Sequence, residues 1–333
     1  MTLLPPLKNR RALLIIGLLL LLPVLRFTTF IRTAPGAGKT SVIFNFKGAV
    51  TFRKIADELG AKQVVSSPLL FTLYGRLRGE DGKIKAGYYQ LNDGMTPREI
   101  LRKLVNGEVY LRPFVLPEGY SIYQAAELLE KQGLLDGKRF LARCADREFL
   151  RAHGISGPNA EGYLFPGTYN VEPDMDEAGL LTAMLRQFTK NRRHRYEPRL
   201  KASGKSWQEV LTLASMIEKE AVTPAEGPVI ASVFYNRLAR RMRLQSDPTS
   251  VYGVRAFAGK VTRSDILRPS PYNTYLNEGL PPGPIGNPGD SAIEAVLNPA
   301  RTSYLYFVAR QDGSHQFSAT LVEHNRAVQT YLK

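Results

Sequence analysis

The chain has 333 residues, 44% of them hydrophobic and 23% charged, the balance of a folded protein with room for two or three domains. Its net charge of +15 points to a polyanionic neighbour. Nucleic acid is set aside because no zinc-finger spacing, RRM aromatic signature or basic-plus-heptad run accompanies that charge, and the single cysteine, Cys144, excludes an internal disulfide and reads as a small buried side chain.

Lys8, Arg10 and Arg11 precede an apolar run at 12–25, followed by Arg26 and a further apolar stretch at 27–31. The first part alone is shorter than the roughly 20 residues that span a bilayer. A cleaved signal peptide and a signal anchor compete, and no small-x-small cleavage site follows Leu25. The reading is a cytoplasmic tail at 1–11 and a transmembrane anchor at 12–31, with Arg26 snorkelling to the interface. By the positive-inside bias everything past residue 32 is exported, which weakens nucleic acid further. The location expected is the cytoplasmic (inner) membrane, with the rest of the chain on its periplasmic side.

Residues 32–41 read as a small-residue linker. GAGKTS within it lacks the first glycine of a phosphate loop, whose place is taken by Thr33, and no strand precedes it, so no nucleotide site is expected.

From 42 to 135 a turn glycine, a hydroxyl N-cap and a short amphipathic helix recur. Gly48 and Thr51 lead into Phe52, Ile55, Ala56 and Leu59; Gly94 and Thr96 into Ile100, Leu101 and Leu104; Gly119 and Ser121 into Ile122, Ala125, Ala126 and Leu129. Thr96 with Glu99, and Ser121 with Gln124, form capping boxes. Strands are expected at 87–91 and 110–116. The whole is a small α+β module that resembles the LysM-like modules of cell-wall proteins; a plain, well-capped α+β domain fits the pattern equally.

Residues 136–205 predict helices at 138–153 and 176–190, separated by the aromatic cluster EGYLFPGTY at 161–169. Rings of that kind fill cores or stack on sugars. The basic run 186–199 reads as a solvated face or linker.

The segment 207–222, WQEVLTLASMIEKEAV, opens with the capping box Ser206/Glu209. Val210, Ala214, Ile217 and Ala221 form one stripe, flanked by Leu211 and Leu213. Glu218 falls about 70° from the stripe's centre, between Leu211 and Ala214, Glu220 falls about 90° off on the other side, and Lys219 points outward. A carboxylate against apolar neighbours is costly to ionise, which suits a general acid at neutral pH. A rim glutamate at the edge of a core helix is the plainer reading.

A second helix at 228–241 carries Asn236 and Arg237, and the loop 242–252 holds Gln245, Ser246, Asp247 and Thr249. Rigid loops follow at 270–275 and 279–289, then a strand at 302–309, a hairpin end at 313–317 and a polar helix at 323–332. The four histidines are scattered without a His-x-x-x-His pair, and there is no Gly-x-Ser-x-Gly elbow, so metal and serine chemistry are weak. Carboxylate acid–base chemistry remains. A glycoside hydrolase usually needs a second carboxylate, for which Glu220, Glu226 and Asp247 are the nearby candidates.

LASMIEKE, SVFYNRL, MRLQSDPTSVYG, PSPYNTY, GLPPGPIGNPG, YLYFVA and GSHQF, in that order, resemble the YceG-like family of endolytic murein transglycosylases. The resemblance runs from the anchor to the C-terminus. It implies an α+β chain made of the transmembrane helix, the LysM-like module at 42–135 and a mixed α/β catalytic domain at 136–333 with a buried catalytic helix. The family's essential acid falls on Glu218, and Asn236, Gln245 and Asp247 fall near its cleft. Tyr163, Tyr272 and Asn273, from the aromatic motifs, are taken as further substrate-binding walls. The implied reaction cleaves the β-1,4 bond between N-acetylmuramic acid and N-acetylglucosamine without water, leaving 1,6-anhydro ends and terminating nascent glycan strands. Glycan strands and peptidoglycan synthases are the implied partners, and no cofactor or metal is implied. A lysozyme-like hydrolase with a second carboxylate and a non-catalytic wall-binding tether stay open beside it.

Overall fold

The computed structural model describes residues 7–257 and 260–331; within the first helix, side chains are described at 15, 19 and from 21 onward. The chain divides into two compact units, 1–112 and 113–333.

The first unit opens with α1 (Leu7–Arg32), followed by β1 (Ser41–Asn45), α2 (Phe52–Ala61), α3 (Pro68–Leu77), β2 (Tyr88–Asn92) and α4 (Pro97–Asn106). β1 and β2 pair antiparallel, Ser41 opposite Asn92 and Asn45 opposite Tyr88. The expected caps form: Thr51 accepts from the Lys54 amide, and Thr96 and Glu99 close a reciprocal capping box. The inward faces of α2 and α4 bury Ile55, Ala56, Leu59, Ile100, Leu101 and Leu104 against Phe44 and Tyr89 of the strands and Phe46 just after β1. The third helix of this unit, α3, has no counterpart among the predicted elements.

The expected tail at 1–11 lies outside the described side chains, and so does part of the expected anchor at 12–31. Among the described residues no helix is long and apolar enough to cross a membrane. The end of α1 packs into the first unit: Phe30 is buried, and Phe27 and Ile31 lie against the same core. The linker expected at 32–41 is not free either, since the Gly36 amide donates to the Asp93 carbonyl and the Thr40 amide to the Asp93 carboxylate.

The second unit begins with β3 (Arg112–Leu116) and α5 (Ile122–Lys131), which the sequence repeat had grouped with the first. The reason is tertiary: β3 pairs with β4 (Gly167–Val171), and α5 packs on α6 (Gly137–Cys144). The single helix expected at 138–153 is broken between α6 and α7 (Arg147–Ala152), because the Asp146 carboxylate caps α7 at the Glu148 and Phe149 amides. α8 (Glu177–Phe188) runs through a π-helical turn at Thr189–Arg193 into α9 (His194–Ser203). That basic stretch is not simply solvated: Arg192 is only 1% exposed, with its Nε on Asp290 at 2.7 Å and its guanidinium over the Phe165 ring.

α10 (Trp207–Glu220) is the central helix, packed on α11 (Gly227–Ala239), α12 (Asp247–Val251) and α14 (Asp290–Leu297), with α13 (Arg263–Ile266) lying between the last two in sequence. Trp207 and every residue from Val210 to Ile217 are buried, so α10 is covered all round along its length rather than on one stripe. Truncating a leucine or isoleucine to alanine in such a setting costs about 2–5 kcal/mol. The unit closes with the antiparallel pair β5 (Tyr306–Ala309) and β6 (His315–Ser318), on which α15 (Leu321–Tyr331) packs.

Candidate active site

Past its first turn, where Glu209 is exposed, α10 stays in the core until its last turn, where Glu218, Lys219 and Glu220 are each half-buried. Successive side chains there diverge by about 100°, so the three face different surroundings.

Glu218 faces two loops that lock together. After β3, the turn Pro117–Glu118–Gly119–Tyr120 meets the loop that precedes α14. The Gly119 amide donates to the Asn287 carbonyl at 2.7 Å, and the Asn287 amide to the Tyr120 carbonyl at 2.8 Å. Gly286 permits this approach, since a Cβ there would stand 2.6 Å from the Gly119 carbonyl oxygen. Gly119 itself is left-handed (φ +75°), and a Cβ on it would lie 3.3 Å from Glu218 Cγ. The Gly289 amide, at the N-cap of α14, donates to Glu218 Oε2 at 3.0 Å.

Burial raises the Glu218 pKa above the ordinary carboxylate value, and the Glu118 charge adds to the rise; the Gly289 hydrogen bond, Arg192 and Lys219 oppose it. Two helix ends meet at this carboxyl. The C-terminus of α10 disfavours its charge, while the N-terminus of α14 favours it. The arrangement can hold a proton and can also receive the anion left when the proton is given away.

Lys219 does not point outward as the helical wheel predicts. It lines a pocket of ≈ 200 Å³ together with Ser121, Tyr123, Gln124, Tyr252 and Phe257, and burial lowers its pKa. Glu218 is not among the residues lining that pocket. Tyr123, Tyr252 and Tyr272 form an aromatic row beside it, with ring centroids 5.6 Å and 4.6 Å apart. Under the row lies Glu161, fully buried. Its carboxylate accepts from the Ile122 amide at the start of α5 (3.1 and 3.0 Å), the Tyr252 hydroxyl (2.8 Å) and Asn287 Nδ2 (2.9 Å). Burial pushes its pKa up to about 7, against those hydrogen bonds. Asn287, also fully buried, donates in addition to the Tyr120 carbonyl and accepts from the Leu164 amide, so one side chain joins both loops to the aromatic segment.

Glu220 has separate company. It accepts from Ser246 Oγ at 2.6 Å, and burial, with the Asp247 charge adding to it, pushes its pKa up to about 7. Asp247 Oδ1 accepts from the Tyr275 hydroxyl at 2.5 Å.

The other residues proposed from sequence scatter. Tyr272 belongs to the aromatic row. Gln245 is exposed, left-handed (φ +51°), and accepts from Arg237. Asn236 ties α11 to the Thr302 and Tyr304 carbonyls at 2.9 Å each. Tyr163 is buried against Phe188, with its hydroxyl on Gln208. Asn273 is buried and donates to the Ile266 and Arg268 carbonyls within its own loop. Glu226, considered as a second carboxylate, is held by the amide and ring of His315. None of these six is hydrogen-bonded to Glu218, whose carboxyl accepts from the Gly289 amide. Sequence reasoning missed Glu161, Glu118, Asn287 and Lys219. Glu161 carried the same signal as Glu218, a carboxylate within an apolar, aromatic run.

The YceG-like family model matches residues 45–330. An endolytic murein transglycosylase of Bacillus subtilis is 36% identical over 88% of this chain and 86% of its own length. One from Streptococcus pneumoniae is 30% identical over 84% of this chain, which spans 56% of that longer relative. A crystal structure of a yceG-like protein from Listeria monocytogenes is 36% identical, covers 86% of this chain and 99% of its own, and superposes with a TM-score of 0.61. With a match that takes in both compact units and the whole of the site just described, the chain belongs to the YceG-like family.

Proposed function

We propose that this chain is an endolytic lytic transglycosylase of peptidoglycan with Glu218 as its acid and base. The observation that carries the reading is the Glu218 carboxyl itself, desolvated at the end of a buried helix and within 3.0 Å of the Gly289 amide. The protonated carboxyl gives its proton to the oxygen of the β-1,4 bond between N-acetylmuramic acid and N-acetylglucosamine, and the C1–O bond breaks. The resulting carboxylate then takes the proton of the muramoyl C6 hydroxyl as that oxygen attacks C1. One carboxyl serves twice, water is not consumed, and the tethered hydroxyl has the proximity advantage of an intramolecular nucleophile. The aromatic row of Tyr123, Tyr252 and Tyr272 suits sugar rings, and the basic surface suits anionic muropeptides.

The finer assignments are proposals of the same kind. Residues 12–31 anchor the chain in the cytoplasmic membrane with its N-terminus inside, the first unit is a LysM-like module, and the enzyme ends strands beside peptidoglycan synthases. Digested glycan tests the chemistry: 1,6-anhydro ends by mass spectrometry are expected, and reducing ends would overturn it. Reducing ends would favour a hydrolase using Glu220, whose pKa burial pushes up to about 7, with Asp247 beside it.

A further inference from the structure

The first unit carries an apolar surface that its own fold leaves open. Leu69, Leu73 and Leu77 of α3 are 71%, 46% and 69% exposed. Spaced by four, they form one stripe, while Phe71 and Gly75 on the opposite side of the helix are buried. Three neighbouring leucines on one helix face are not the scattered apolar exposure of an ordinary surface.

What covers them follows from where α3 is attached. It packs on α1, with the Tyr74 ring 6.4 Å from that of Phe27. Phe27 is only two residues past Leu25, the end of a second exposed apolar run in which Leu19, Leu21, Leu22, Val24 and Leu25 are each more than half exposed. Two helical residues advance about 3 Å, so α3 meets α1, through Tyr74 and Phe27, close to the level where that run stops. Charge supports the same occupant. Arg26 and Arg32 flank this end of α1, and Arg76 and Arg78 the end of α3, all exposed. A cleft of ≈ 560 Å³ where α1, α3 and α4 meet is lined by Arg32, Arg78, Arg98 and Arg102 against two acids, Glu99 and the Glu80 that pairs with Arg78 at 3.0 Å, which leaves it net positive. An apolar helix face rimmed by arginines is the pattern of a segment lying in a membrane interface, about 5–10 Å into the headgroup–acyl boundary.

We propose that the first unit lies on an anionic bilayer, with Leu69, Leu73 and Leu77 seated in the headgroup–acyl boundary and the arginine cleft facing lipid phosphates. The inference rests on α1 being the membrane anchor and goes beyond it, since a tethered domain need not touch lipid. The test uses the full chain in vesicles of phosphatidylcholine and phosphatidylglycerol, carrying an environment-sensitive fluorophore at Leu73→Cys, Leu22→Cys or Lys54→Cys; Cys144 is buried and stays in place. Acyl-chain nitroxide lipids are expected to quench the labels at 22 and 73 and to spare the one at 54 on α2. Quenching at 22 with none at 73 would overturn the inference and leave the anchor standing; no quenching at either would remove both. A label at 73 shielded before lipid is added and unquenched afterwards would assign the stripe to a second copy of the chain instead. Loss of quenching at 73 in the absence of phosphatidylglycerol, or in Arg32→Gln/Arg98→Gln/Arg102→Gln, is expected from the charged part of the surface.

Discussion

The Gly289 amide and the Glu218 carboxyl meet at 3.0 Å, joining the start of one helix to the end of another. Without that donor, burial, the Glu118 charge and the C-terminus of its own helix would be opposed only by the charges of Arg192 and Lys219. With it, the proton is held but can be released. The contact makes the site an acid of moderated strength.

Glu218→Gln removes the proton while keeping the shape of the side chain. Glycan cleavage is expected to fall by about 10²–10⁴-fold, the usual range for a general acid, with binding of strands retained. Release of soluble fragments from purified glycan measures the first, and co-sedimentation with intact glycan the second. Unchanged release would remove Glu218 from the chemistry.

Glu118→Gln takes away the like charge that helps to raise the Glu218 pKa. The limb of the pH–rate profile on which activity falls as Glu218 ionises is expected to move to lower pH, with little change in the maximum rate. An unmoved limb would separate Glu118 from the acid.

Glu161 and Glu220 both have folded pKa values raised from 4.5 to about 7. A carboxyl raised on folding favours the native state while it is protonated, so that contribution is complete below pH 4.5 and is lost as pH rises through about 7. Melting temperature is expected to decline over that window, and Glu220→Gln is expected to flatten part of the slope. An identical slope in the variant would mean that Glu220 does not titrate there.

Asn287→Ala keeps the backbone bonds between the two loops but removes the side chain that ties them to the aromatic segment, leaving the Leu164 amide and the Glu161 carboxylate short of partners. A loss of about 2–5 kcal/mol is expected, the usual consequence of opening a buried hydrogen-bond network. Urea denaturation at constant m-value measures it, and a loss below 1 kcal/mol, roughly that of one ordinary hydrogen bond, would show that the junction is not cooperative.

The helices with local start signals were readable from sequence. Thr51, Thr96, Ser121 and Ser206 each cap the helix predicted behind them. α3 escaped because Leu69, Leu73 and Leu77 face outward while its inward face includes Thr72 and Gly75, so its most regular apolar stripe marks the wrong side. The 138–153 helix was read as one because the Asp146 cap lies inside an otherwise continuous helical pattern. The partly buried setting of Glu218 was legible because its neighbours along the helix are apolar. Its partners were not: Gly289 and Asn287 are glycine- and proline-rich loop residues whose role depends on meeting residues 118–120, far away in the chain. Likewise Arg192 reads as one more member of a basic run until Asp290 and Phe165 fold around it.

Because Gly289 follows Glu218 by 71 residues and the Gly119–Asn287 ladder spans a still longer stretch, the surroundings of Glu218 are completed by contacts distant in the chain. A chain emerging from its N-terminus presents α10 well before the loop that completes it. Until residues 286–289 have been delivered and docked, the carboxyl lacks the amide that stabilises its anion. With Glu218 as the proposed acid, newly made molecules are expected to be silent during their own biogenesis, and a truncation before residue 286 is expected to yield a protein that has the glutamate but no glycan cleavage.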